Sequence, residues 1–213
     1  MTVGAADPRT IHDPLYEPRW QGRRALVEVV EGAVTIREVE LEGQARGDAL
    51  RSAIAAACAA DEVVLDGYLL PGSVDADALP PPPPTTEEIT RRGLFSHLFV
   101  GSLGRHRDRV PGGEPEVALP GDGPIQYVAV DLLWLDGQPL VDLPLGERKR
   151  LLESVLSDGQ LVRRTVAVRA PAERWHGQWR ALGFDSMVVK AANSHYLPGS
   201  RSAEWAIAPI PKA

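Results

Sequence analysis

Residues 127–156 have the sequence YVAVDLLWLDGQPLVDLPLGERKRLLESVL, which contains the clearest strand, turn and helix signals of this 213-residue chain. The apolar run at 125–135 is rich in β-branched and aromatic residues and predicts a buried strand. The Asp-Gly pair that follows it predicts a tight turn into a second strand. Asp142 and Pro144 occupy positions typical of a helix start, so we expect a helix that ends near Leu156.

Shorter patterns on either side of this region predict further strands and helices. They are a hairpin at 24–39 around Glu31-Gly32, a helix from Asp48 to about Ala60, a short strand at 63–65 that ends at Asp66-Gly67, strands at 161–169, 184–190 and 204–210, and a helical stripe of Trp175, Trp179 and Leu182. Because strands dominate and follow one another through hairpins, we predict the α+β class, with antiparallel sheets and flanking helices. We expect residues 1–14 to be a flexible lead-in and residues 15–210 to form a single domain.

The composition is that of an ordinary globular protein, with 44% hydrophobic and 24% charged residues. The net charge of −6 argues against a general nucleic-acid-binding surface, and local basic runs such as Arg148-Lys149-Arg150 are interpreted as solvated surface. The chain has no apolar run long enough to span a membrane and no apolar core of a secretory signal at its N-terminus. The single cysteine, Cys58, excludes an internal disulfide and a cysteine-based zinc site. These features predict a cytoplasmic protein without a membrane partner.

Residues 71–92 have a different composition. Five prolines run from Pro80 to Pro84, with acidic residues on both sides. Such a run favours extended polyproline II structure and cannot enter a helix or a central strand. It is interpreted either as a docking motif for an aromatic groove or as a stiff surface loop, and we favour the loop.

Four segments with chemically informative residues follow one another along the chain. They are EPRWQGRRALV at 17–27, VVLDGYLL at 63–70, the stretch 127–156, and FDSMVVKAANSHYLPGSRSAEWAIA at 184–208. This succession resembles the nucleotidyltransferase domain of ATP-dependent DNA ligases, especially the bacterial repair type. The resemblance implies the ATP-grasp-like nucleotidyltransferase fold of those enzymes. Since the chain ends about where the family's second, OB-fold domain would begin, we expect that domain to be absent.

The first of these segments departs from the family at its most important position. In the family, a lysine amine attacks the α-phosphate of ATP and carries AMP covalently before AMP passes to a DNA 5′-phosphate. The family motif is lysine, any residue, aspartate and glycine, whereas this chain has Arg19-Trp20-Gln21-Gly22. A guanidinium stays protonated and has no free lone pair, so Arg19 cannot act as that nucleophile.

Other positions depart from the family pattern as well. Tyr68 replaces a glutamate that contacts the ribose region, and Val130 replaces the aromatic residue that stacks on adenine. Asp185 stands where the family has a metal-binding glutamate, which makes it the one metal candidate. Two phosphate-binding lysines should follow Trp205 and are absent, although Lys190 matches a different motif lysine. Together these losses predict that ATP chemistry is lost, because nucleotidyl transfer depends on charge stabilisation at the phosphates.

The leading hypothesis is a catalytically degenerate, pseudo-ligase binding module in DNA repair or replication, with no catalytic residue, metal or cofactor. Its partners would be DNA, bound weakly and without sequence preference, or a DNA-repair protein. A polar or anion-binding pocket is expected from Glu17, Arg19, Arg24, Asp66 and Lys190. The candidates for DNA contact are Arg23, Arg105, Arg107 and Arg109.

Two alternatives remain open from the sequence. One is an active ligase or nucleotidyltransferase with unorthodox residues, which would need ATP and Mg²⁺. The other is a protein-interaction module that uses the proline run and has a vestigial cleft. If the resemblance holds, the turn at 134–137 should lie beside the strands at 63–66 and 184–190, and together they should wall one cleft. Arg19 and Lys190 should then be within reach of a common ligand.

Overall fold

The computed structural model describes residues 2–3, 7–37, 44–72 and 123–211. In these ranges the strands are β1 (Thr2–Val3), β2 (Pro14–Pro18), β3 (Arg23–Val30), β4 (Ala33–Arg37), β5 (Glu62–Pro71), β6 (Ile125–Leu135), β7 (Gln138–Pro139), β8 (Val162–Arg164), β9 (Val168–Arg169), β10 (Ser186–Ala191), β11 (Arg201–Ser202) and β12 (Trp205–Pro209). The helices are α1 (Gln44–Ala57), α2 (Leu145–Val155) and α3 (Glu173–Ala181), and a 3-10 helix covers Pro8–Thr10. The proline run and Arg105, Arg107 and Arg109 lie outside the described residues.

Two main sheets carry the fold of the described residues. The larger has the strand order β4-β3-β5-β6-β7, and β8 joins it by pairing in parallel with β6. The smaller has the order β12-β10-β2-β9, and all its pairs are antiparallel. β1 and β11 form a separate parallel pair, and β1 and the 3-10 helix fall within the expected lead-in. This arrangement confirms the predicted α+β class with antiparallel sheets and flanking helices.

Apolar faces of the helices cover one face of each main sheet. Leu50 and Ile54 of α1 are completely buried against the larger sheet, and Leu152 of α2 joins the same cluster. Trp175 and Trp179 of α3 pack on the smaller sheet, as their helical spacing predicts. Burial of one such side chain contributes about 1.5–3 kcal/mol, so these contacts hold the helices against the sheets.

Both predicted hairpin turns are present. Glu31 and Gly32 connect β3 to β4 with φ angles of 48° and 80°, and Asp136 and Gly137 connect β6 to β7 with φ angles of 42° and 81°. Positive φ at both central residues is the geometry of the two-residue turn whose twist matches that of paired strands. The turn residues therefore set the register of both hairpins.

The strand predicted at 63–65 is longer than expected. β5 runs from Glu62 to Pro71 and pairs with β3 and β6 over most of its length. The Asp66-Gly67 pair does not end the strand, and the register between β5 and β6 shifts there instead. Such a bulge bends a strand without interrupting it, which is why a turn-like dipeptide misleads at this point.

Three other predicted element bounds were wrong for local reasons. The stretch 161–169 forms two strands, because the chain leaves the larger sheet after β8 and enters the smaller one at β9. α1 begins at Gln44, so Asp48 lies inside the helix and pairs with an arginine one turn later instead of capping. Asp142 does not cap α2, which starts after Pro144 without a side-chain cap bond.

Gly67 lies where a side chain has no room. A Cβ at this position would overlap the carbonyl oxygen of Val128 and the ring of Tyr127, which is completely buried on β6. We therefore expect Gly67→Ala to lower the free energy of unfolding by about 1–3 kcal/mol, the usual cost of overpacking. Urea denaturation followed by circular dichroism would measure the change.

Gly177→Ala in α3 is the matched control for this substitution. A Cβ at Gly177 would meet no neighbouring group within 4 Å. Alanine is also the better helix former by roughly 0.5–1 kcal/mol, so this variant should be as stable as the wild type or more so. A Gly67→Ala protein with wild-type stability would contradict the steric account.

Candidate functional site

A series of buried or partly buried charged and polar side chains joins the two main sheets, and we call it the interface network. Its members come from β2, β3, β5, β6, α2, β10 and the loop between β10 and β11. They are Glu17, Arg24, Asp66, Asp131, Arg148, Lys149, Lys190 and Tyr196. Because a buried charge is costly unless it is paired, the partners of these groups determine what the site can bind.

Glu17 is held between two lysines. Its carboxylate oxygens lie 2.7 Å from Nζ of Lys149 and 2.9 Å from Nζ of Lys190. Lys149 also donates to the carbonyl oxygen of Val130 at 2.6 Å, and the Lys190 ammonium lies 4.5 Å from the centre of the Trp205 ring. Burial raises the pKa of Glu17, but the two ammonium groups lower it more, so the pKa lies below its usual value. Burial also lowers the pKa of Lys149.

Arg148 is completely buried and forms a two-point ion pair with Asp131. Its Nε and Nη2 atoms each donate to a carboxylate oxygen at 2.9 Å. Its Nη1 atom donates to the carbonyl oxygens of Leu143 at 2.5 Å and Ser194 at 3.2 Å. The planar guanidinium therefore ties α2 to β6 and to the loop after β10, a geometry that a lysine could not reproduce.

Arg24 forms a second two-point ion pair, with the carboxylate of Asp66, at 2.9 and 2.6 Å. The hydroxyl of Tyr196 donates to Asp66 at 3.0 Å and accepts from Arg24 at 2.9 Å. Burial alone would lower the pKa of Arg24, but the hydrogen bonds and charge of Asp66 raise it. Burial and the carboxylate of Asp66 raise the pKa of Tyr196. Arg24 and Asp66 are therefore a charged pair, and the Tyr196 phenol bonded to both is neutral.

The structure joins four of the five residues expected to line one polar pocket, but as two separate ion pairs. Glu17 contacts Lys190, and Arg24 contacts Asp66. Arg19 lies just beyond β2, where its backbone N–H donates to a carbonyl oxygen at the start of β10. Among the described residues, the Arg19 guanidinium has no ion pair or hydrogen bond. The four joined residues are thus paired with one another, and none of them is bonded to the guanidinium of Arg19.

The expected cleft is also arranged differently. The hairpin of β6 and β7 lies beside β5 as predicted, with Trp134 opposite Val64. β10 belongs to the smaller sheet and is not paired with that hairpin. Tyr196 and Trp205 pack against Leu133 from the side of the smaller sheet and connect the two walls.

Four members of the network were not among the predicted site residues: Asp131, Arg148, Lys149 and Tyr196. The run Arg148-Lys149-Arg150 was interpreted as solvated surface, yet only Arg150 is exposed, and it pairs with Glu147. The available signal was the helical phase, because Leu145 and Leu152 mark the buried face of α2. Residues three and four positions after Leu145 fall on that same face.

The remaining candidates lie nearer the surface. Asp185 is exposed and accepts a hydrogen bond from the Ser186 hydroxyl at 2.7 Å. In the part of the chain that the structure describes, no three His, Cys, Asp or Glu side chains are grouped so as to hold a metal ion. Arg23 is half-buried on β3, opposite Leu69. None of the described helices is both long and apolar enough to cross a membrane.

Comparison with known proteins identifies similar sequences over nearly the whole chain. The sequence model of the ATP dependent DNA ligase domain matches residues 9–206. The multifunctional non-homologous end joining DNA repair protein LigD of Mycobacterium tuberculosis H37Rv is 27% identical over 192 residues, which cover 89% of this chain and 21% of LigD. A DNA ligase of Methanoculleus marisnigri is 36% identical over 75 residues, or 35% of this chain and 14% of the ligase. The chain thus spans about a fifth or less of the length of these curated relatives.

Solved structures with the same fold include two mycobacterial ligase domains. One is a mycobacterial DNA ligase D complexed with ATP and MES, with a TM-score of 0.56 and 22% identity over 96% of this chain and 56% of that one. The other is the ligase domain of LigD from M. tuberculosis, with a TM-score of 0.57, 24% identity and the same coverage. At such identities the likeness establishes the fold, which is the one expected from the sequence.

Glu17→Gln tests whether the network holds the fold together. The substitution keeps the shape of the side chain but leaves the ammonium groups of Lys149 and Lys190 without their buried counter-ion. We expect the free energy of unfolding to fall by roughly 3–5 kcal/mol, the cost of an uncompensated buried charge. Glu147→Gln is the control, because Glu147 pairs with Arg150 on the surface and should contribute little. Urea denaturation would measure both variants.

The stabilisation by Glu17 should depend on pH. The pKa of Glu17 is lower in the folded chain than its usual value of 4.5. Ionised Glu17 therefore stabilises the fold above about pH 4.5, and this contribution is lost as the pH falls through the lower folded value. The stability difference between wild type and Glu17→Gln should shrink in that range. A difference that stays constant from neutral to acidic pH would contradict the assignment.

Proposed function

Because the chain belongs to the ATP-dependent DNA ligase domain family, we propose that it is a non-catalytic member, a pseudo-ligase module that acts by binding in DNA repair or replication. The observation that carries the proposal is Arg19 at the position of the family's nucleophilic lysine. A lysine amine can lose its proton in a suitable site and attack phosphorus, whereas a guanidinium stays protonated and weakly nucleophilic.

The surroundings of Arg19 support the same proposal. Gln21 replaces the motif aspartate, and the residues after Trp205 are Ala206, Ile207 and Ala208 instead of phosphate-binding lysines. Gly22 is retained, but a Cβ there would lie 2.5 Å from a carbonyl oxygen of β5, so packing alone accounts for it. Without those lysines, this part of the chain has little positive charge to stabilise the negative charge that develops on a reacting phosphate.

The interface network does not fit a nucleoside triphosphate. Lys190 and Arg24 are the cations that could meet phosphate, and both are engaged by carboxylates within 3 Å. A phosphate would have to displace Glu17 or Asp66, which are themselves anions and buried. We therefore infer that the interface network binds neither ATP nor Mg²⁺. We assign no reaction step to either of them.

A role in repair draws on the relatives. LigD of M. tuberculosis is a multifunctional non-homologous end joining DNA repair protein, and the relative from M. marisnigri is a DNA ligase. We infer that this chain keeps the nucleic-acid-facing part of the fold and contributes binding without catalysis. Its partners would be a DNA end or a repair protein, because the acidic net charge of −6 supplies no general attraction to DNA.

The first test is adenylation. The protein is incubated with ATP and magnesium, and its intact mass is measured before and after acid treatment. We expect no gain of one AMP, because Arg19 has no lone pair for attack on the α-phosphate. A catalytic member of the family serves as the positive control. An acid-labile gain of one AMP would refute the non-catalytic assignment.

Arg19→Lys is the informative variant in this assay. We expect it to remain unadenylated, since Gln21, Val130 and the missing phosphate lysines are unchanged. Adduct formation by Arg19→Lys alone would mean that the rest of the site is competent. The loss of adenylation would then be due to Arg19 alone and not to the other substitutions as well.

The second test is DNA binding across a salt series, with nicked, duplex and single-stranded DNA. We expect weak binding without sequence preference and a shallow salt slope, because about three phosphate contacts release only about three counterions. The variant Arg105→Ala, Arg107→Ala, Arg109→Ala should weaken binding at low salt, and Arg23→Ala should do so independently. Arg174→Ala, an exposed position on α3, controls for the loss of charge alone.

Two outcomes of the salt series would change the proposal. Tight binding that survives high salt would contradict the phosphate-contact account. No binding to any of the three DNAs at low salt would remove DNA as the partner and favour a protein-interaction role.

A further inference from the structure

A cavity of about 290 Å³ lies between α2, the segment 163–167, α3 and residues 18–20. Four aromatic side chains line it: Trp20, Trp175, Trp179 and Phe184. The rings of Trp20 and Phe184 meet edge to face at 4.9 Å. The volume is near the lower end of the range for small-molecule sites, about 300–1,000 Å³.

This cavity is separate from the interface network. Neither Glu17 nor Arg19 lines it, although Pro18 and Trp20 do. Alternate residues of a strand face opposite sides, so Glu17 and Pro18 at the end of β2 project to opposite faces of the smaller sheet. Lys149 is the one network residue in the wall, and its ammonium is held by Glu17.

Arg163 is a half-buried cation in the cavity wall that has no carboxylate hydrogen-bonded to it among the described residues. The nearby carboxylate of Asp158 is taken by Arg164, which bonds both of its oxygens at 3.0–3.1 Å. The Arg163 guanidinium instead lies 6.0 Å from the centre of the Trp20 ring. Burial lowers the pKa of Arg163, which is the sign of a cation that has lost water without gaining a full counter-ion.

A second donor in the same wall also lacks a partner. The indole Nε1 of Trp175 is buried and has no acceptor among the described residues. Trp20 shows the contrast, because its indole N–H donates to the Thr165 hydroxyl at 2.8 Å. The Trp175 nitrogen has essentially no accessible surface, so a molecule in the cavity would meet the Trp175 ring and not its N–H.

No carboxylate of the cavity wall is hydrogen-bonded to Arg163. Lys149 and Arg164 are paired with carboxylates, and the side chain of Glu153 is exposed to solvent. The unmet requirement is therefore a negative charge near Arg163, next to an aromatic surface.

We propose that this cavity binds a small planar aromatic anion, with its ring among the tryptophans and Phe184 and its anionic oxygens at Arg163. Stacking provides the apolar contact, and a charge-assisted hydrogen bond from the guanidinium selects an acid over a neutral analogue. The proposal does not depend on the pseudo-ligase assignment, because none of the residues expected in the ligase pocket lines the cavity.

The test compares 2-naphthoate with 2-naphthamide, which has the same rings and nearly the same shape but no charge. Quenching of tryptophan fluorescence, with calorimetry as a second readout, measures both affinities on the wild-type protein. We expect saturable binding of the acid that is about tenfold or more tighter than that of the amide, as for a hydrogen bond to a charged group. Equal affinities, or no saturable binding of the acid, would overturn the proposal.

Arg163→Gln should remove the preference for the acid and leave the affinity for the amide unchanged. Arg174→Gln, an exposed arginine outside the cavity wall, makes the same change in net charge and should keep the preference. Arg163→Lys keeps the cation and should retain part of it, and circular dichroism reports folding of each variant. A preference for the acid that persists in folded Arg163→Gln would also overturn the proposal. If Arg163→Gln does not fold, the wild-type comparison of acid and amide decides the question.

Discussion

The carboxylate of Glu17, buried between the ammonium groups of Lys149 and Lys190, is the contact on which the rest of the structure depends. It fastens α2 to the smaller sheet, while the two-point pair of Arg148 with Asp131 fastens the same helix to β6 of the larger sheet. Apolar packing tolerates changes of side chain and small shifts. A buried ion pair does not, because loss of one partner leaves the other uncompensated.

The network also limits where a binding function can lie. Each of its four cations already contacts one of its three carboxylates, so a further anion there would compete with contacts that hold the fold together. Two arginines without a bonded carboxylate lie elsewhere among the described residues: Arg19 beyond β2, and Arg163 in the aromatic cavity. Under the proposed function, binding has therefore moved from the family's reaction centre to other surfaces of the same scaffold.

The sequence predicts the elements of this fold better than the contacts of its site. β6 and both hairpins follow from local patterns, because alternation and turn residues act over a few positions. The end of β8 at Arg164 does not follow from a local pattern. The chain leaves the larger sheet there and joins the smaller one at β9, and both pairings involve strands that are distant in the sequence. The buried state of Arg148 and Lys149 was missed for a related reason: a basic run suggests solvent unless its carboxylates, on β6 and β2, are known to lie opposite. The resemblance supplied the pocket residues, but it could not reveal that they pair with one another.

Gly67 has a consequence for how such chains are recognised. It belongs to a motif that is normally associated with the chemistry of the family, yet the close approach of Tyr127 and Val128 already forbids any larger residue there. Its retention reports on volume and not on reactivity. A motif count that gives every matching glycine the weight of a reactive side chain will therefore count a packing constraint as evidence of chemistry.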